Sequence, residues 1–260
     1  MQKEIFKWQG LKEIPDQGTE GSCTAFAMCN IINGFKEPKY KKLWLEWEAL
    51  DGHEYFNLVN SVYPPELQGS LAPSQAVIYA KNNWFIKYYE QLFIKNMDPI
   101  KFKKLLDAGF LFLIVVNKCD WEKTKKTFIA TKKEQGGVNH SLALVDYDDK
   151  KECFKIVNSW GEEWGDKGYF YMKYEDLNYF VDQIYVILDS DDTENFNRLL
   201  YKARILSVVN SLSENWKYWN ENDKKAMNFA ATMLRKIVLE QDHQYNMNKN
   251  DAIDFINKYL

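Results

Sequence analysis

The 260 residues carry 34 basic and 37 acidic side chains, a net charge of −3, with 46% hydrophobic and 27% charged residues. That balance is ordinary for a globular chain, and the length suits one large domain or a medium and a small one. Short lysine-rich runs at 39–42 and 123–126 are offset by neighbouring acids, so no nucleic-acid-binding face is expected, and the longest apolar run, 110–116, is too short to span a membrane.

Residues 1–22 read as irregular, punctuated by Gly10, Pro15, Gly18 and Gly21. No apolar stretch opens the chain, so no secretory signal is expected. A helix is predicted to begin near Ser22, a good N-cap, to carry an apolar face over 25–28 and to end before Gly34. Two further helices are predicted near 73–82 and 99–106, each with a proline in its first turn. The texture then changes to short runs rich in β-branched and aromatic residues. Strands are predicted at 110–117, 141–147, 153–158, 168–174 and 183–188, with an Asp-Asp-Lys turn at 148–150. A helical half followed by an antiparallel half gives an α+β arrangement with a cleft between the halves. Beyond 189 the periodicity is helical to the end, with Asn222 and Asn250 as candidate caps. The expected organisation is a domain over 1–189 and a small all-α extension over 190–260.

The four cysteines, Cys23, Cys29, Cys119 and Cys153, show no paired spacing. All four are expected as thiols in the cytoplasm or another reducing compartment, with association with a virion also open. Cys29, Cys119 and Cys153 are expected to be small buried hydrophobes. Cys23 is different because it stands at a predicted helix start. A cysteine attacks a carbonyl as the thiolate, which a helix N-terminus and an adjacent imidazolium both favour. Gly21 would let other backbone approach closely, and Ser22 would cap the helix.

Of three histidines, His53 lies in a polar, loop-like segment and His243 in the extension; both read as surface or structural residues. His140 stands at a strand entry and is the candidate base. An imidazole base needs an acceptor on its other nitrogen. Asn158, at the end of the next strand, would stand beside it. A developing oxyanion needs preorganised donors, and the Cys23 N–H and the Gln17 side-chain amide can supply two. No metal-ligand spacing and no phosphate loop is present, so no cofactor is expected.

These residues lie in three stretches that together resemble the papain-like cysteine peptidases. The first is Asp16-Gln17-Gly18-Thr19-Glu20-Gly21-Ser22-Cys23-Thr24-Ala25-Phe26-Ala27. The second is Asn139-His140-Ser141-Leu142-Ala143-Leu144-Val145-Asp146-Tyr147. The third and most specific is Val157-Asn158-Ser159-Trp160-Gly161, followed by Trp164-Gly165 and Gly168-Tyr169. A weaker match begins at Gly69-Ser70-Leu71-Ala72-Pro73. The resemblance covers about residues 5–189 and implies a two-lobed papain-like fold with the active site in the cleft between its lobes. It implies Gln17, Cys23, His140 and Asn158 as catalytic residues and Trp160 as a shield for the histidine–asparagine bond. It also implies Gly69 and Ser70 as substrate-binding backbone, and Val138 and Asn139 as cleft wall.

The chain departs from the family pattern in several places. Glu20 stands where the family has a cysteine, so the usual disulfide there cannot form. Thr24 stands where the family has an aromatic residue, and the double glycine at 69–70 is single. Cys23 is so near the N-terminus that no inhibitory pro-segment is expected. The expected activity is endopeptidase hydrolysis of a polypeptide through a thioester. The same residues could act on isopeptide or peptidoglycan amides, or the domain could be a non-catalytic module of a larger assembly. The extension over 190–260 is expected to regulate access to the cleft or to dock onto a protein partner.

Overall fold

The computed structural model describes residues 6–42, 48–64, 69–92, 98–134 and 137–189. The chain divides into two compact units, Met1–Gln91 with Met97–Asp189, and Leu92–Asn96 with Ser190–Leu260. The helices expected over 190–260, with their caps at Asn222 and Asn250 and with His243, lie outside the described residues. Among the described residues, no helix is long and apolar enough to cross a membrane.

The first unit opens with the long helix α1 (Cys23–Lys42). Ala25, Phe26, Ala27, Met28, Cys29, Ile31 and Ile32 are all buried. A helix apolar on every side belongs inside a core, and α1 packs against both α2 (Gly52–Ser61) and the sheet. The helix does not stop at Gly34 as expected. A Cβ there would stand 2.2 Å from Cζ3 of Trp8. Gly34 therefore serves close packing against an indole rather than helix termination.

Helix α2 is a departure from the expected loop around His53. Asp51 caps it, accepting the backbone N–H groups of His53 and Glu54, and Gly52, Tyr55 and Val59 form its narrow buried strip. Helix α3 (Pro73–Asn82) follows, and then strand β1 (Tyr88–Leu92), which was not expected. Helix α4 (Pro99–Asp107) is capped by Asp98, and the short α5 (Trp121–Thr127) by Asp120.

The remaining strands are β2 (Leu111–Val116), β3 (His140–Asp148), β4 (Cys153–Val157), β5 (Tyr169–Lys173) and β6 (Val181–Leu188). A short helix, α6 (Leu177–Phe180), precedes the last. The sheet order is β1-β6-β2-β3-β4-β5, and the pairs from β6 to β5 are antiparallel. Every residue of β2 is buried, which its unbroken Leu-Phe-Leu-Ile-Val-Val run requires. Elements cover both faces. Phe112 of β2 packs on Phe102 of α4, with ring centroids 4.9 Å apart. Ser141, on the other face of β3, meets α1 through Thr24. At the far end, Lys36 of α1 holds Asp189 at 2.8 Å, with the carboxylate side chain 1% exposed.

Candidate active site

The site rests on two loops zipped together by backbone. Gln17 N–H donates to the Ser159 carbonyl at 2.8 Å, and Gly161 N–H donates to the Pro15 carbonyl at 3.1 Å. The segment 15–17 is thereby fixed to the turn after β4. Gly161 has φ +73°, and Asp16 Cβ lies 3.5 Å from where its Cβ would stand. The positive φ is what a side chain there would strain, since Asp16 lies at ordinary van der Waals distance.

This zipper aims two amides. Asn158 is fully buried. Its Oδ1 accepts the Ser159 N–H at 2.8 Å and lies 2.7 Å from His140 Nε2. A backbone N–H can only donate, so the atom it meets is the carbonyl oxygen. The histidine nitrogen facing that same oxygen must then carry the hydrogen. This fixes the tautomer with Nε2 protonated and leaves the Nδ1 lone pair as the ring's acceptor. Gln17 is clamped in the same way. Its Oε1 accepts the Ser159 hydroxyl at 2.6 Å, and its Nε2 donates to the Glu20 carbonyl at 2.8 Å. Nε2 carries a second hydrogen, a donor of the kind an oxyanion needs.

His140 is 5% exposed and lies under aromatic rings. Trp160 stacks on the imidazole at 4.5 Å and 13°. Trp121 meets it edge-on at 5.2 Å and also contacts Trp160, Trp164 and Phe170. Burial pushes the imidazole down to about 4, and the Asn158 bond opposes this only partly. Burial therefore favours the neutral ring at neutral pH.

Cys23 begins α1. Ser22 before it is buried, and its carbonyl accepts the Phe26 N–H at 3.2 Å, as a helix-capping residue's does. All four cysteines are free thiols, and Cys23 alone is half-exposed while the other three are buried. Burial raises Cys29, Cys119 and Cys153 above the ordinary thiol range, which makes them poor nucleophiles. Next to Cys23, Thr24 Oγ1 lies 2.8 Å from the Oγ of Ser141, the residue after His140. The helix start and the strand start are thus tied. Gly21 is exposed, and among the described residues beyond its two chain neighbours no atom comes within 4 Å of a Cβ built there. The close approach expected at Gly21 is not made by the chain itself.

The other expected site residues stand apart from this hydrogen-bonded frame. Gly69, with φ +120°, and Ser70 are exposed ahead of α3; Asn139 is exposed and Val138 is 78% exposed ahead of His140. Sequence reasoning missed Trp121, Ser159, Thr24 and Ser141 as parts of the site. Ser159 was visible inside the Asn-Ser-Trp-Gly run, but a lone tryptophan at 121 carried no signal. Glu20 replaces the family's cysteine, and its Oε2 contacts His53 Nδ1 at 2.6 Å. That contact holds the Glu20 carboxyl below the usual range.

A model of the papain family cysteine proteases matches residues 74–186, a stretch that holds His140, Asn158, Trp160 and Trp164. Over that stretch the chain is similar to the papain family of cysteine peptidases. Relatives agree with that placement. Gamete and mating-type specific protein A of Dictyostelium discoideum is 52% identical over 174 residues, covering 60% of this chain and 39% of that protein. The uncharacterized peptidase C1-like protein L477 of Acanthamoeba polyphaga mimivirus is 28% identical over 212 residues, 64% of this chain and 66% of that one. The chain thus spans 39% and 66% of the length of these two curated relatives. Among solved structures, xylellain, a cysteine protease from Xylella fastidiosa, matches with a TM-score of 0.51 at 19% identity, over 68% of this chain and 83% of that one. This last similarity is one of fold.

Proposed function

We propose that the chain hydrolyses peptide bonds by acyl transfer through Cys23, His140, Asn158 and Gln17. The observation that carries this is the buried His140–Asn158 bond beneath Trp160, with its tautomer fixed by the Ser159 N–H. Nδ1 of the neutral imidazole takes the Cys23 thiol proton as sulfur attacks the scissile carbonyl carbon. The carbonyl oxygen gains the electron pair, stabilised by the Cys23 N–H and the remaining Gln17 Nε2 hydrogen. Collapse breaks the C–N bond, and His140 returns the proton to the leaving amine. Water, deprotonated by the same nitrogen, then cleaves the thioester. Asn158 keeps the imidazole in the working tautomer, and Trp160 keeps water from the bond that does so.

The substrate class is polypeptide. The exposed residues Gly69, Ser70, Val138 and Asn139 are the candidates to contact it. A separate domain over 190–260 that regulates the site or docks onto a partner, and a reducing compartment for the four thiols, belong to the same reading.

The test is alkylation by an epoxysuccinyl probe, with the intact proteins then weighed. Wild type should gain one adduct that Cys23→Ala lacks, while both give the same circular dichroism. A folded wild type that takes no adduct would refute catalysis and favour a non-catalytic module. Mass analysis of cleaved products would separate linear peptide bonds from isopeptide or cross-link amides.

A further inference from the structure

We propose that Thr24 and Ser141 form a positioning pair that sets Cys23 and His140 in reacting geometry; the inference rests on the peptidase reading above. Each hydroxyl belongs to the residue directly after a reacting one. The two oxygens are 2.8 Å apart, and both residues are buried, at 3% and 4% exposure. Neither hydroxyl has water as an alternative partner, so each depends on the other.

The bond joins two stiff supports. Thr24 is β-branched, so its hydroxyl follows its backbone through one restricted torsion. Ser141 lies within β3, paired opposite Val115 of β2, so the sheet holds its backbone. Along α1 and β3 next to the pair, Ala25, Ala27, Met28, Ala143 and Val145 are all buried and apolar. Apolar contact is non-directional and lets a helix slide over a sheet. The hydroxyl pair fixes the register that apolar contact leaves free. His140 is anchored on its other side by Asn158 and Trp160, so the remaining freedom lies between helix and strand, where the pair acts. In the family pattern an aromatic residue follows the cysteine. Here a small hydroxyl residue does, and it has a hydroxyl partner across the site.

The experiment compares wild type, Thr24→Val, Ser141→Ala, the double variant and Thr24→Ser. Each is measured for kcat and KM on a fluorogenic peptide, and for the rate of Cys23 alkylation by iodoacetamide across pH, at a temperature where all are folded. The two single variants should each lose about 10-fold or more in kcat and in alkylation rate, with KM within about twofold, since a displacement near 1 Å costs up to about 100-fold. The double variant should lose no more than either single, and Thr24→Ser should recover most of the loss. If Thr24→Val or Ser141→Ala fails to fold, the double variant, which leaves no hydroxyl unpaired, and Thr24→Ser carry the comparison. Lower thermal stability with unchanged kcat and an unchanged alkylation profile would overturn the pair while leaving the peptidase reading intact. An unreactive Cys23 in folded wild type would overturn the peptidase reading, and the pair with it.

Discussion

Lowering the pH should cost the folded chain stability through His140 alone. The imidazole's ordinary value is 6.5, and burial brings it to about 4 in the folded state. Between these values the unfolded chain binds a proton there that the folded chain does not. Unfolding free energy therefore rises with pH across this window. The contribution is fully present above 6.5 and is lost as pH falls toward 4. At about 1.36 kcal/mol per pH unit, a change from pH 7.5 to 4.5 removes about 2.5 kcal/mol. Carboxylates titrate in the same range, so the measurement is a difference. Urea unfolding of wild type and His140→Gln at both pH values isolates the histidine. Wild type should lose about 2.5 kcal/mol more than the variant. Parallel losses would refute the reasoning. So would a smaller loss in wild type than in the variant.

Peptide turnover should keep its base down to mildly acidic pH: the acid limb of kcat/KM that reports His140 should fall near 4 rather than 6.5, as a pH–rate profile will show. Gln17→Ala should lower kcat by about 100-fold or more by removing a donor to the oxyanion, and Ser159→Ala should lower it by a smaller factor by loosening the Gln17 amide, both with KM little changed in steady-state assays. Gly34→Ala should destabilise the fold by about 1–3 kcal/mol in urea unfolding, because Trp8 must shift to admit a methyl group. Lys36→Met should cost about 3–5 kcal/mol in the same measurement, since it leaves the Asp189 carboxylate buried without its counter-charge.

Strands β2 to β6 and the polar frame of the site were legible because their signals are local, whereas β1 (Tyr88–Leu92) was not. An unbroken apolar run marked β2, and Pro73 and Pro99 marked the starts of α3 and α4. The Asn-Ser-Trp-Gly run marked the turn that orients His140. What escaped was tertiary. Helix α2 begins on a glycine and buries one narrow strip, so its periodicity is weak; the readable signal was Asp51, which caps it. Helix α5 is rich in lysine and threonine, and it matters because it delivers Trp121 to the imidazole, a contact that spans the gap between 121 and 140 in sequence. Gly34 looked like a helix stop because its reason for being glycine, Trp8, lies 26 positions earlier in sequence. The Thr24–Ser141 bond joins residues 117 apart, and neither residue type is unusual where it stands.

The backbone zipper between 15–17 and 159–161 has a consequence for synthesis. A growing chain makes the segment with Gln17 and Cys23 first and the turn that clamps it more than a hundred residues later. Until that turn emerges, Gln17 has neither its backbone partner nor the Ser159 hydroxyl that aims its amide. His140 likewise lacks Asn158 and the Trp160 ring. Such long-range closure is slow compared with local helix formation. A ribosome-bound intermediate therefore carries the Cys23 thiol before the residues that hold Gln17 and His140 in place have been made.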